Sequence, residues 1–210
     1  IDFSNDSVGA LVRGPLSSAR GYFAATGNSN YGWFGGGSPG PVSTVDRIDF
    51  SNDLSTASPR GSLTPSGRQF HAATSGVLNI RRQKAGNYGW FGGGRSFTQR
   101  VNRIDFSNDL PTSSVRGSLF LPHYQLAATG NSNYGWFGGG QPGPLSAVER
   151  IDFSNDLPTA SVRGPLNLQK NCLAATGNSN YGWFGGGYNA FIPAFYSTVD
   201  RINFSNDSAT

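Results

Sequence analysis

Four basic side chains stand at one recurring position: Arg20, Arg68, His123 and Lys170, each four residues before the first alanine of an Ala-Ala-Thr triplet. Converging cations raise the local concentration of an anionic group such as an acidic sugar, sulfate or phosphate without a high total charge. A second recurrence pairs Arg47, Arg103, Arg150 and Arg201 with Asp49, Asp105, Asp152 and Asn203 two residues on. On a strand, residues two apart share a face, so these could be acid/base pairs. A catalytic pair is rarely needed once per repeat, and a structural charge network between repeats is the better expectation. The Ser-Asn-Asp triplets lack the ligand spacing and closing Glu of a calcium loop and read as Asx turns. The Gly triplets are not followed by Lys-Ser/Thr or a helix, so they are not phosphate loops. His71, His123 and Cys172 are the only His and Cys side chains, too few and too scattered for a metal site. No catalytic residue, metal ligand or cofactor is assigned.

What positions these residues is a repeat. The string YGWFGGG occurs at Tyr31–Gly37, Tyr88–Gly94, Tyr134–Gly140 and Tyr181–Gly187. IDFSND starts at Ile1, Ile48, Ile104 and Ile151 and returns as INFSND at Ile202. Periods near 50 residues signal propellers or solenoids, here with four units. Each unit divides into four short pieces: an Ala-Ala-Thr run, an aromatic run, an alternating Arg-Ile-Asp-Phe run and a short piece such as Ser58–Leu63. Gly-Asn-Ser-Asn and Ser-Asn-Asp supply the turns between them. No sustained 3.6-residue apolar stripe appears, so the chain reads as all-β.

Composition adds bounds. Net charge is +4 and aromatic content 13%, which do not fit a disordered acidic or basic tail. The charge permits attraction to anionic glycans or nucleic acid without requiring it, and nucleic acid is not the expected partner. No apolar run is long enough to span a bilayer as a helix, and no membrane partner is expected. The lone Cys172 allows no intrachain disulfide.

The order basic residue, Ala-Ala, Tyr…Gly-Gly, Arg-Ile-Asp-Phe resembles the kelch repeat, here carried by Arg20, Ala24-Ala25, Tyr31…Gly35-Gly36 and Arg47-Ile48-Asp49-Phe50. It departs from kelch in placing Trp in the second strand instead of the fourth. The strings RIDFSND, RGPL, AATGNSN and YGWFGGG also resemble repeat arrays in structural proteins of marine tailed phages, over nearly the whole chain. The resemblance implies a β-propeller of four-stranded blades, four in number, and a non-enzymatic virion protein of a tail or fibre. Its expected partners are other virion subunits or a host-surface glycan, in a soluble virion or extracellular setting. A kelch-type protein-interaction adaptor is the alternative, and a galactose oxidase-like carbohydrate enzyme a more distant one.

Blade logic then places the residues. Ala-Ala-Thr suits the crowded strand nearest the axis, and the Tyr and Trp rings can fill the wedges between blades. The last unit has no fourth strand after Asp207, whereas Val12-Arg13-Gly14 is a spare one. Residues 1–210 are therefore expected to form one domain, closed by the N-terminal strand pairing with the last blade. Arg20, Arg68, His123 and Lys170 would surround one mouth of the channel as a cationic collar. Such a collar would strengthen as pH falls through the histidine range. Repetition favours instead a structural duty, bonding carbonyls of a neighbouring blade. The loops after the second and after the fourth strand of each unit vary between units and should share one face, where recognition usually sits. The longest carries Tyr188, Phe191, Phe195 and Tyr196, which complete the candidate binding residues. The basic insertion at 75–86, with Arg81, Arg82 and Lys84, is expected on the opposite face as a solvated loop.

Overall fold

The Ala-Ala-Thr triplets form the first strand of each repeat and the aromatic strings the second, as the residue sizes demand. The computed structural model describes residues 11–76, 87–95, 98–142 and 145–209. The first blade is β1 (Ala24–Gly27), β2 (Tyr31–Gly35), β3 (Val45–Asp49) and β4 (Ser58–Arg60). The second is β5 (Ala72–Ser75), β6 (Tyr88–Gly92), β7 (Val101–Asp105) and β8 (Ser114–Val115). The third is β9 (Ala127–Gly130), β10 (Tyr134–Gly138), β11 (Val148–Asp152) and β12 (Ser161–Arg163). The fourth is β13 (Ala174–Gly177) and β14 (Tyr181–Gly185), then a hairpin of β15 (Tyr188–Asn189) and β16 (Ala194–Phe195), then β17 (Val199–Asn203) and β18 (Ser208–Ala209). Each blade is an antiparallel sheet in sequence order, and the four make a β-propeller without helices among the described residues. The insertion residues 77–86 lie outside the described residues.

Asn and Asp fix the turns. Asn28 Oδ1 accepts the N–H groups of Asn30 and Tyr31 at 2.8 and 2.9 Å, and Asn131 and Asn178 repeat this. Asp49 Oδ1 accepts the N–H and hydroxyl of Ser51 at 2.9 and 2.6 Å, repeated by Asp105, Asp152 and Asn203. These oxygens are committed to Asx turns. The Ser51 bonds hold the Asp49 carboxyl below its usual range.

Consecutive blades lock by one recurring joint. Trp33 is buried, stacked on Phe106 of the second blade at 4.0 Å, and its Nε1–H donates to Asp109 at 2.8 Å. Arg47 and Arg60 reach the same carboxylate at 3.2 and 3.5 Å. Trp90 meets Phe153 and Asp156, and Trp136 meets Phe204 and Asp207, in the same way. The second-strand glycines are sockets. A Cβ on Gly35 would come within 2.8 Å of Phe91, on Gly92 within 2.7 Å of Phe137, and on Gly138 within 2.9 Å of Phe184. Phe91, Phe137 and Phe184 are each 0% exposed. The charge network between repeats therefore exists, but its acid is the last Asp of Ser-Asn-Asp and not the Asp two residues after the Arg.

Nearest the axis, a main-chain ladder joins the blades. Phe70 N–H donates to Tyr22 O at 2.9 Å, Gln125 N–H to Phe70 O at 2.7 Å, and Cys172 N–H to Gln125 O at 2.9 Å. Tyr22, Phe70, Gln125 and Cys172 all adopt positive φ, between 53 and 58°, a left-handed bend that non-glycine residues seldom take. They form the bend that leads into each first strand. β1 packs on β5, β5 on β9 and β9 on β13. Among the described residues the outer partner of β17 is β18, through Ile202↔Ala209 and Asn203↔Ser208, not the Val12–Gly14 segment. That segment instead lies against the first blade: Gly14 N–H donates to Asp53 O at 2.7 Å, and Arg13 Nε is 3.3 Å from the Asp53 carboxylate.

Candidate functional site

The four basic residues expected at the channel mouth all lead into a first strand, and each turns inward. The Arg20 guanidinium lies 2.9 Å from Asp46, with both side chains almost wholly buried, and donates to Phe34 O at 3.0 Å. Ser17 adds its N–H and hydroxyl to the Asp46 carboxylate. Lys170 is 0% exposed, 2.8 Å from Asp200, and donates to Phe184 O at 3.4 Å. His123 is 0% exposed and its Nδ1–H donates to Gly139 O at 2.8 Å, which leaves Nε2 facing Glu149 at 3.6 Å. Burial lowers its pKa. Burial pushes Glu149 up to about 7 although Phe120 and Leu121 N–H groups donate to it.

In the second blade Asn102 stands where the others have an acid, and among the described residues Arg68 has no carboxylate beside it. Arg68 Nη1 donates to Phe91 O, Gly93 O and Arg100 O at 3.2, 3.3 and 3.0 Å. Burial, and then the Arg100 charge, lower its pKa to about 9. Buried beside it, His71 is driven to about 3 by burial and then by the Arg68 charge.

An exposed cationic collar is therefore not what these residues form. Desolvated charges need partners, and each finds carbonyls or an acid within its own blade, not in the neighbouring one. Sequence reading missed the partner set Asp46, Asn102, Glu149 and Asp200. Its signal is the second residue of the third strand, which is an acid or its amide in every repeat: Asp46, Asn102, Glu149 and Asp200.

The other four candidate residues converge. The β15–β16 hairpin pairs Tyr188 with Phe195, their ring centroids 4.8 Å apart. Asn189 Oδ1 shapes its tip by accepting Phe191 and Ile192 N–H groups at 2.9 and 3.3 Å. Tyr188 exchanges both main-chain bonds with Asn171, and Tyr196 N–H donates to Gly187 O. On this frame Phe191, Ile192 and Phe195 are 74, 67 and 87% exposed, while Tyr188 and Tyr196 are half-buried. The bridges Gly21↔Ser38, Tyr124↔Gln141 and Asn171↔Tyr188 tie the segment leading into a first strand to the loop after the second strand in three blades, so the two variable loop types share one face.

The turn face bears a polar groove of about 350 Å³ between the third and fourth blades, lined by Asn131, Asn133, Tyr134, Ser179 and Tyr181 among others. Among the described residues no three His, Cys, Asp or Glu side chains gather as a metal site. No family model matches this chain, and no curated protein matches it at a significant level. The site thus rests on its geometry, a shaped aromatic hairpin on the variable face.

Proposed function

We propose that this chain is a non-enzymatic recognition propeller whose contact surface is the fourth-blade hairpin. The observation that carries this reading is the exposure of Phe191, Ile192 and Phe195 on a hairpin held by its own hydrogen bonds. Apolar side chains that contribute nothing to the core, held on an ordered frame, mark interaction surfaces. Flat aromatic faces suit the C–H faces of sugar rings, while hydroxyl and carbonyl groups nearby fix orientation. The ligand class is therefore a host-surface glycan. The resemblance to marine tailed-phage repeat arrays supports a place on a virion tail or fibre. The buried basic residues argue against an acidic-glycan requirement through the collar.

A glycan array followed by titration calorimetry tests this. The wild type should bind at least one glycan, and Phe191→Ala/Phe195→Ala should weaken that glycan at least tenfold with the melting temperature unchanged. An array without binders, or equal affinity in the double variant, would reject the hairpin as a glycan site.

A further inference from the structure

The fourth and first blades each carry one half of the joint that the molecule makes three times internally. On the fourth blade the socket holds no ring from the described residues. Among them a Cβ on Gly185 would meet Val199 Cγ2 alone, at 3.5 Å, where Gly35, Gly92 and Gly138 each meet a phenylalanine. Trp183 is only half-buried, and its Nε1–H has no carboxylate among the described residues. Val199 is 62% exposed, whereas Val45, Val101 and Val148 are each 0% exposed. On the first blade the knobs are unused. Phe50, equivalent to Phe106 and Phe204, is 53% exposed against their 6%, and Phe34, equivalent to the buried Phe91, is half-buried. Asp53, equivalent to Asp109, Asp156 and Asp207, has Arg13 beside it but no tryptophan. Thr26, Thr74 and Thr129 each pack against a glycine of the following blade, and Thr176 is exposed.

We propose that this seam is a head-to-tail interface between copies of the chain, the fourth blade of one copy receiving the first blade of the next. The three internal joints use the same residues and so impose the same rotation per blade. Among the described residues the fourth blade does not grip the first, and the two half-joints are complementary, so a second copy of the chain supplies the missing half of each. Two copies would then share two identical seams, so that neither half-joint is left without its partner.

The seam's details follow from the internal joints. Phe34 enters the Gly185 socket, Phe50 stacks on Trp183, and Asp53 accepts the Trp183 Nε1–H. Val45↔Arg60 and Val148↔Arg163 are the outer-strand registers, so Val199 pairs with Arg13 of the other copy. β18 covers only Ile202 and Asn203 and leaves that length of β17 open. Cys172 O accepts Tyr22 N–H, which continues the axial ladder. Burying an open strand edge and apolar rings together supplies the driving force.

Light scattering on the 210-residue chain at micromolar concentration should give the mass of two chains. Gly185→Leu, which meets only ordinary contact within its own blade, should give single chains with unchanged circular dichroism. With Cys172→Ser, the pair Arg13→Cys/Val199→Cys should oxidise to covalent dimers. A monomeric wild type, an association that Gly185→Leu leaves intact, or a disulfide confined within single chains would each overturn the proposal, the last by showing that the chain closes its own ring.

Discussion

Trp136 and Trp183 occupy the same place in the same string of adjacent repeats, yet their surroundings differ. Trp136 is 0% exposed, stacked on Phe204 at 3.9 Å, with its Nε1–H on Asp207 at 3.0 Å. Trp183 has its own blade's Tyr181 at 6.0 Å but, among the described residues, no stacked ring or carboxylate from another blade. A blade of this kind is thus not a self-sufficient unit. Its tryptophan wedge is completed by the Phe and Asp of the next repeat, as stacked repeats complete one another's cores. The inner blades show finished joints, and the end blades show what each repeat contributes alone.

The largest expected effect is therefore unequal between identical substitutions. Trp136→Ala should cost about 3–5 kcal/mol, as deletions of buried aromatic rings do. Trp183→Ala should cost less than half of that in the single chain. Urea unfolding of the two variants at low protein concentration checks this, and equal losses would break the comparison.

Next comes the carboxylate at the joint. Asp156 takes the Trp90 Nε1–H at 2.8 Å and lies 3.0 and 3.5 Å from Arg103 and Arg116. Asp156→Ala would leave a buried indole donor and two guanidinium groups without their acceptor, a loss of roughly 3 kcal/mol. The same unfolding experiment reads it, and a loss below 1 kcal/mol would show that the stack alone holds the joint.

A smaller effect separates the blades by pH. The end blades bury matched pairs, Arg20 with Asp46 and Lys170 with Asp200, whereas the inner blades bury His71 beside Arg68 and Glu149 beside His123. Glu149 is raised from 4.5 to about 7, so the folded chain holds its proton longer than the unfolded chain. Its contribution to stability is present below pH 4.5 and lost as pH rises through 7. His71 is depressed from 6.5 to about 3, so its contribution is present above pH 6.5 and lost as pH falls towards 3. Glu149→Gln should flatten the fall in stability between pH 4.5 and 7, and His71→Leu should flatten the acid limb below 6.5. Unfolding midpoints across pH 3 to 8 check both, and unchanged slopes would show that these groups titrate alike folded and unfolded.

How much of this was readable beforehand depended on whether a residue acts within its repeat or across repeats. The blade order, the Asx turns and the buried role of Trp33, Trp90 and Trp136 were legible, because size, turn chemistry and repetition are local properties. The partners of the basic residues were not. Nothing in the spacing of Arg20 and Asp46, 26 residues apart, says that strand pairing brings them to 2.9 Å. Reading the basic residues without their acids left an exposed collar open beside the favoured structural duty, and placed that duty's partners in the neighbouring blade. The exposed hairpin was legible as an aromatic-rich insertion, Tyr188 to Tyr196, although its strand pairing was not. Nor could repetition say whether the spare strand at Val12 closes the ring, since that depends on the rotation each joint imposes.

The smallest effect sharpens the comparison most. Asp53 is the first blade's version of Asp156, but among the described residues its carboxylate pairs with Arg13 alone, the two side chains 48% (Arg13) and 37% (Asp53) exposed. An exposed ion pair contributes about 0–1 kcal/mol, because water screens the attraction and two long side chains lose freedom. At concentrations where the chain is single, Asp53→Ala should therefore move the unfolding free energy by less than 1 kcal/mol, against roughly 3 for Asp156→Ala. Where copies associate, the same substitution removes the acceptor for Trp183 at the seam and should weaken association. Dilution series of wild type and Asp53→Ala, followed by light scattering and by urea unfolding, read the two quantities separately. A large loss in the isolated chain would mean that Asp53 is already buried in a joint, and the difference between inner and end blades would disappear.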